Sequence, residues 1–182
     1  MNVNFVYRYD NPKPENRMLQ IDKARICFRN FAGRGDQFNA PGKRNFCLVI
    51  DDEEIAQALA RDLNEYGVGW NVKIRPPREE GDIPFMYLKV NVAFGERSAP
   101  AVYLKSGRAT NQLSESEIGM LDDIRIASVD LDIRPFDGET RGGPFRSAYL
   151  QSIWVTQDLS GDRFASRYAE MNDDGRDEPL PF

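Results

Sequence analysis

Apolar and polar positions alternate along most of this chain, and a period of two predicts strands. Residues 2–8 predict a short leading strand, broken by Asp10, Asn11, Pro12, Lys13 and Pro14. The longest alternating stretch is 18–31, where Ile26 and Phe28 alternate against Arg25, Cys27 and Arg29. A Gly-rich loop over 33–42 leads into a second clear strand at 43–50. Further strands are predicted at 69–75, 84–94, 100–105, 124–134 and 145–156. The segments 76–82 and 135–144, rich in Pro, Gly and charge, read as loops.

The period changes over 51–66. Ile55, Leu59 and Leu63, with Ala56 and Ala60 beside them, form one apolar stripe suited to lie on a sheet. Asp51, Asp52, Glu53 and Glu54 complement the dipole of the first turn, and Gly67 supplies the stop. Ser114 and Glu117 have capping-box spacing, with Ile118 and Leu121 facing inward. A short amphipathic segment is expected at 162–170. Roughly seven strands and one good helix predict a mainly β protein, an OB-like β-barrel with one or two helices. The usual OB helix lies between the third and fourth strands. Here the clearest helix follows the second confident strand, unless 2–8 supplies the missing first one.

A chain of 182 residues, 41% hydrophobic, suits one domain with a sizeable core. It has no apolar run near the ~20 residues that span a bilayer, and its first residues do not read as a secretory signal. A cytoplasmic location is the expectation. Histidine is absent, which excludes Ser-His and Cys-His catalysis and histidine zinc sites. Cys27 and Cys47 are expected to be buried free thiols. No phosphate-loop motif occurs, and Gly67 and Gly69 follow a helix rather than open one, so no dinucleotide fingerprint is present. No cofactor is implied, and the chain reads as a binder, not an enzyme. One enzymatic alternative stands: Asp130 and Asp132 share a strand face near Asp122 and Asp123, as in a metal-dependent nuclease. The simpler reading is the polar face of an amphipathic strand.

The net charge of −5 is unevenly spread. Residues 170–182 hold Glu170, Asp173, Asp174, Asp177 and Glu178 against Arg176 alone, so the remaining body is close to neutral. This acidic stretch ends in Leu180-Pro181-Phe182, a ring beside a carboxylate on an acidic stalk. The ending resembles the acidic tail of bacterial and phage single-stranded DNA-binding proteins. In the body, the runs Arg44-Asn45-Phe46 and Gly69-Trp70-Asn71-Val72 also look like the small phage proteins of this type. The resemblance implies a protein that coats exposed strands without strong sequence preference during phage DNA replication, recombination or repair. It implies a binding domain at 1–169 and a disordered acidic C-terminal interaction tail at 170–182. Asp173, Asp174, Asp177, Glu178, Leu180, Pro181 and Phe182 would then recruit replication or recombination proteins. Homo-oligomerisation is left open.

A sequence-tolerant binder of single strands needs cations along a groove and aromatic rings among them. The first loop and its flanks supply Arg29, Phe31, Arg34, Phe38, Lys43, Arg44 and Phe46. The loop of the last hairpin supplies Arg134, Phe136, Arg141, Phe145 and Arg146. In an OB barrel the loops joining strands 1–2 and 4–5 flank the binding face, so these two sets are expected to meet. Trp70, Lys73 and Arg75 are a third candidate group. Alternation turns Trp70 toward the core and Lys73 and Arg75 away from it, and Trp154 also reads as core. One ring among Phe85 and Tyr87 is expected at the groove. The alternative is that the loops are ordinary hairpin connections, and the domain a protein-interaction module without DNA.

Overall fold

The computed structural model describes residues 1–164. Asp173, Asp174, Asp177, Glu178, Leu180, Pro181 and Phe182, and all but the first three residues of the expected 162–170 segment, lie outside the described residues. In chain order the strands are β1 (Asn2–Tyr7), β2 (Arg17–Asn30), β3 (Arg44–Ile50), β4 (Val72–Arg75) and β5 (Phe85–Val92). They continue as β6 (Ala101–Ser106), β7 (Ala109–Leu113), β8 (Ile126–Thr140) and β9 (Gly143–Gln157). One α-helix, α1, spans Glu53–Arg61.

Five of these strands close a ring. β3 lies between β5 and β2, β2 reaches β8, β8 pairs β9, and β9 returns to β5. The closing contact is parallel, Val90 opposite Ala148 and Asn91 opposite Tyr149, while the other four pairings are antiparallel. This is an OB-like Greek-key barrel with β2, β3, β5, β8 and β9 as its strands one to five. β1 adds to β2, β4 extends the sheet beyond β5, and the β6–β7 hairpin attaches to β9. The departure noted in the sequence is real: α1 falls between barrel strands two and three. A short 3-10 turn, Ile118–Asp122, occupies the stretch before strand four, where the OB helix usually sits.

Inward residues alternate as a half-buried sheet requires. Phe46, Leu48 and Ile50 of β3 face Leu88 and Val90 of β5, and Val129, Leu131 and Ile133 of β8 complete the core, all nearly inaccessible. The α1 start matches expectation, with the Asp52 carboxylate accepting from Glu54 N at 2.8 Å. The helix ends sooner than the Leu63 periodicity predicts. Asn64 folds the chain back by accepting from Tyr66 N and Val68 N, both at 2.9 Å, and Trp70 N donates to the Leu59 carbonyl. Leu63 is therefore 55% exposed. Gly69 passes so close to α1 that a Cβ there would fall on the Ala60 carbonyl oxygen.

Only the acidic half of the Ser114–Glu117 box forms: the Glu117 carboxylate accepts from Ser114 N and Oγ at 2.8 Å each, while Glu117 N donates to the Ser114 carbonyl, and Ile118 and Leu121 are buried behind it. The two hydrogen bonds to the carboxylate hold the Glu117 carboxyl below the usual carboxylate range. The expected 135–144 loop is instead the far half of a long hairpin paired to Thr140 and Gly143. Pro135 is tolerated because β8 has one strand neighbour there, its ladder with β2 having ended at Ile133. No helix among the described residues is long and apolar enough to cross a membrane.

Candidate nucleic-acid interface

The outer face of β3, β5 and β4 carries the polar positions that the core rejects. By direct register Tyr87 of β5 stands between Lys73 of β4 and Val49 of β3, Lys89 lies opposite Cys47, Phe85 opposite Arg75 and Asn91 opposite Asn45. The loop from 31 to 43 overhangs this face. Asn30 holds both its ends: Asn30 Oδ1 accepts from Arg34 N at 2.9 Å and Nδ2 donates to the Lys43 carbonyl at 3.2 Å. Gly42 N donates to the Gly33 carbonyl at 2.8 Å, with both glycines at positive φ (81° and 69°). Asp36 accepts from Phe38 N and Asn39 N at 2.7 Å each, which holds its carboxyl below the ordinary range. The loop is thus stiffened around Phe38, whose ring is 81% exposed.

Two clefts result. One of about 690 Å³ is lined by Arg29, Arg34, Phe38, Lys73, Arg75, Tyr87, Lys89 and Phe28, among others. A second of about 560 Å³ is lined by Phe38, Lys43, Arg44, Lys89, Asn91, Phe94 and Tyr149. Phe38, Asn39, Asn45 and Lys89 border both, so the clefts form one continuous groove. Tyr149 carries the surface on to the last hairpin: its ring lies 5.9 Å from Phe136, and the Arg134 guanidinium sits 5.2 Å over it. Phe136 in turn lies 6.1 Å from Phe145. Burial, with Arg8 nearby, lowers the Arg134 pKa from its ordinary value.

The structure sorts the residues proposed from sequence. Arg34, Phe38, Lys43, Lys73 and Arg75 meet in the groove and are exposed. Arg29 and Arg44 line it but are engaged. Arg29 donates to the Leu121 and Ile124 carbonyls at 2.7 and 2.9 Å, and Arg44 pairs with Glu115 at 2.9 Å. Arg134, Phe136 and Phe145 join through Tyr149, and Arg141 is exposed at the hairpin tip, outside the lining of either cleft. Four expectations need correction. Phe31 and Phe46 stack on each other inside the barrel with ring centroids 5.3 Å apart, fully buried. Trp70 is buried too, its Nε1 donating to Asp62 at 2.9 Å. Arg146 is 3% exposed, bridging Asp137 in two hydrogen bonds (2.8 and 3.0 Å), the Asp62 carbonyl and the Trp70 ring. A side chain without free surface cannot stack on a base or reach a phosphate. Parity places Phe46 and Arg146 inward, a signal that alternation carried and loop composition obscured; Trp70 packs against α1, and Phe31, just past the β2 bulge, turns inward against the parity of Arg25, Cys27 and Arg29.

Phe28, Lys89 and Tyr149 line the groove and were absent from the expected set, while Tyr87 is the ring of the Phe85 and Tyr87 pair that lines it. Alternation from Cys47 across the β3–β5 register would have found Lys89. A model of the phage ssDNA-binding domain family matches residues 11–178. The chain belongs to that family. Membership makes it a DNA-binding protein rather than an enzyme. Among solved structures, the single-stranded DNA-binding protein from bacteriophage Enc34 in C-terminally truncated form aligns at 17% identity and TM-score 0.49, over 78% of this chain and 86% of that one. The untruncated Enc34 protein aligns at 15% identity and TM-score 0.47, over 92% of this chain and 99% of that one. Its complex with ssDNA aligns at 16% identity and TM-score 0.44, over 78% of this chain and 86% of that one. A comparison with curated protein sequences returns no match.

Asp130 and Asp132, the pair behind the nuclease alternative, sit on a different face of the barrel from the groove. Asp130 accepts from Lys23 N at 2.8 Å and Asp132 from Ser152 Oγ at 3.2 Å. Burial is the main cause raising the Asp132 pKa; Asp22 adds to it, and the Ser152 hydrogen bond opposes it. Trp154, expected in the core, faces outward beside them against Tyr103, ring centroids 5.7 Å apart. Among the described residues no group of three or more acidic or sulfur side chains is arranged to hold a metal ion. The pair is the polar face of β8.

Proposed function

We propose that this family member coats single-stranded DNA by laying the strand along the outer face of β3, β5 and β4, under the loop carrying Phe38. The observation that carries the reading is the convergence of cations and rings from four separate stretches of chain onto one continuous groove. Arg34, Lys43, Lys73, Arg75 and Lys89 meet phosphates; Phe38 and Tyr87 offer faces on which bases of any identity stack. Tyr149, Phe136 and Arg134 extend the path toward the last hairpin. The amide side chains that line the groove, Asn30, Asn39, Asn45 and Asn91, are already hydrogen-bonded within the protein, which suits coating without strong sequence preference. Binding is reversible and involves no bond making or breaking.

On this reading residues 1–169 form the binding domain, and the protein acts where phage replication, recombination or repair exposes single strands. Residues 170–182 serve as a tail that recruits replication or recombination partners through Asp173, Asp174, Asp177, Glu178, Leu180, Pro181 and Phe182. Fluorescence anisotropy with labelled single-stranded and duplex oligonucleotides, with and without magnesium, tests the main claim. Tight binding of single strands of unrelated sequence, with no cleavage, supports it, and equal or stronger affinity for duplex overturns it. Deleting residues 170–182 should remove capture of partner proteins and leave the DNA-binding groove intact; a deletion that abolishes DNA binding refutes the division into domain and tail.

A further inference from the structure

The groove does not stop at Phe28. On its far side lies a third cleft of about 460 Å³, lined by Arg25, Cys27, Phe28, Val49, Phe85 and Ile126 among others. It occupies a parting of the barrel. The β2–β8 ladder ends where Ala24 meets Val129, so beyond that point β2 and the start of β8 diverge. The walls are mostly apolar and the volume falls within the range of small-ligand sites.

Phe28 forms the partition, because its ring borders both this cleft and the main groove. It stands edge-on to Phe85, centroids 6.2 Å apart at 89°, and Phe85 stacks on Tyr87 at 5.4 Å and 26°. The three rings make a continuous ladder from the groove floor into the third cleft. Plain alternation would turn Phe28 inward with Ile26. Instead β2 bulges between Cys27 and Asn30, and Phe28 takes a φ of 48°, leaving its ring 62% exposed. An extra residue in a strand re-aims a side chain in this way. A bulky residue in the left-handed region is an outlier, and such outliers concentrate at binding sites. Arg25, exposed on the outer face of β2, supplies a cation beyond the ring.

We propose that the third cleft is a further nucleotide subsite, in which a base of the same bound strand rests against Phe28 and the Val49–Ile126 wall while its phosphate meets Arg25. This rests on the groove being the path of single-stranded DNA. The test is anisotropy with oligothymidylates of about 4 to 16 nucleotides, the span of OB site sizes. Affinity of the native chain should rise with length until the subsite fills. Phe28→Gly removes the ring while placing at φ 48° the residue that tolerates it best, so the thermal midpoint should hold. That variant should lose roughly 5- to 100-fold on the longer strands, more than on the shortest. Arg25→Ala should bind the shortest strands as the native chain does. On longer ones it should lose about 0.7 from the slope of log affinity against log salt.

Equal loss at every length for both variants would mean that they act through the main groove, and refutes the subsite. Native affinity at all lengths refutes it as well. If Lys73→Ala then still weakens the shortest strands, the groove itself stands. If the native chain binds no single strand, both readings fall together.

Discussion

The groove assigns specific cations to phosphate, and that makes the salt dependence of binding a number. Five cations line it without a close ion pair: Lys43, Lys73, Arg75 and Lys89, and Arg34, whose nearest carboxylate, Asp123, is 3.7 Å away with both side chains largely exposed. Arg29 and Arg44 are left out because two backbone carbonyls and Glu115 already engage them. On a single strand each neutralised phosphate contributes about −0.7 to the slope of log affinity against log salt, so five give about −3.5. Raising salt from about 50 to about 200 mM should then weaken binding about a hundredfold. The double variant Lys73→Ala/Lys89→Ala removes two contacts, lowering the slope to about −2.1 and the salt-induced loss to about twentyfold. Both residues are exposed, so the fold should be untouched. Titrations of a labelled oligothymidylate just long enough for the main groove, at several salt concentrations, read both slopes. The decisive quantity is the difference of about 1.4, since any contribution from the acidic terminal residues is common to both proteins. An unchanged slope would mean that the strand runs elsewhere.

Three other outcomes follow from the same geometry. Asp137→Ala removes the two-pronged partner of a buried Arg146 guanidinium, leaving the Asp62 carboxylate at 3.6 Å, and should cost roughly 1.5–3 kcal/mol in urea unfolding, yet leave affinity per folded molecule unchanged; a selective loss of DNA binding would restore Arg146 as a contact. Asp36→Ala frees Phe38 N and Asn39 N, so the loop loosens and single-strand affinity should fall several-fold with little change in thermal midpoint; native affinity would mean that Phe38 needs no fixed position. Burial, first of all, and the neighbouring Cys27 push the Cys47 thiol from the ordinary 9.0 up to about 11. The neutral thiol therefore favours the folded state below pH 9.0, and that contribution disappears as pH rises toward about 11. Iodoacetamide should accordingly label Cys47 slowly at pH 8 and faster toward pH 11, and rapid labelling at pH 8 would contradict the burial.

Alternation made the barrel legible because sheets with one wet face must repeat every second residue. The inward sets of β3, β5 and β8 are the ones that periodicity predicts. Where boundaries were missed, a local hydrogen bond had overruled a periodic pattern. Leu63 continues the stripe of α1, but Asn64 captures two backbone N–H groups and turns the chain. Pro135 and the glycines of 135–144 read as a loop, yet a strand with a single neighbour accepts proline, and the hairpin runs on. The β6–β7 hairpin was half seen, since the residues of β7 are nearly all exposed and leave no apolar alternation to follow.

The site followed a different logic. Counting rings and cations in loops located the Phe38 loop and the last hairpin, but it could not tell a ring that stacks on DNA from one that stacks in the core. Phe31, Phe46 and Phe38 lie close together in sequence, and only the last is available. The parity of each residue within its strand makes that separation: it puts Phe46 inside, and it puts Tyr87 and Lys89 outside although neither belongs to a loop. Parity fails at the register shifts, where Ile21 and Ala24 are both buried and Leu150 and Ile153 likewise, and at Phe28, where the bulge turns a ring outward beside the groove. Local rules and the folded chain tend to disagree where function has required it. That disagreement is the physical reason for looking for bound DNA on both sides of the Phe28 ring.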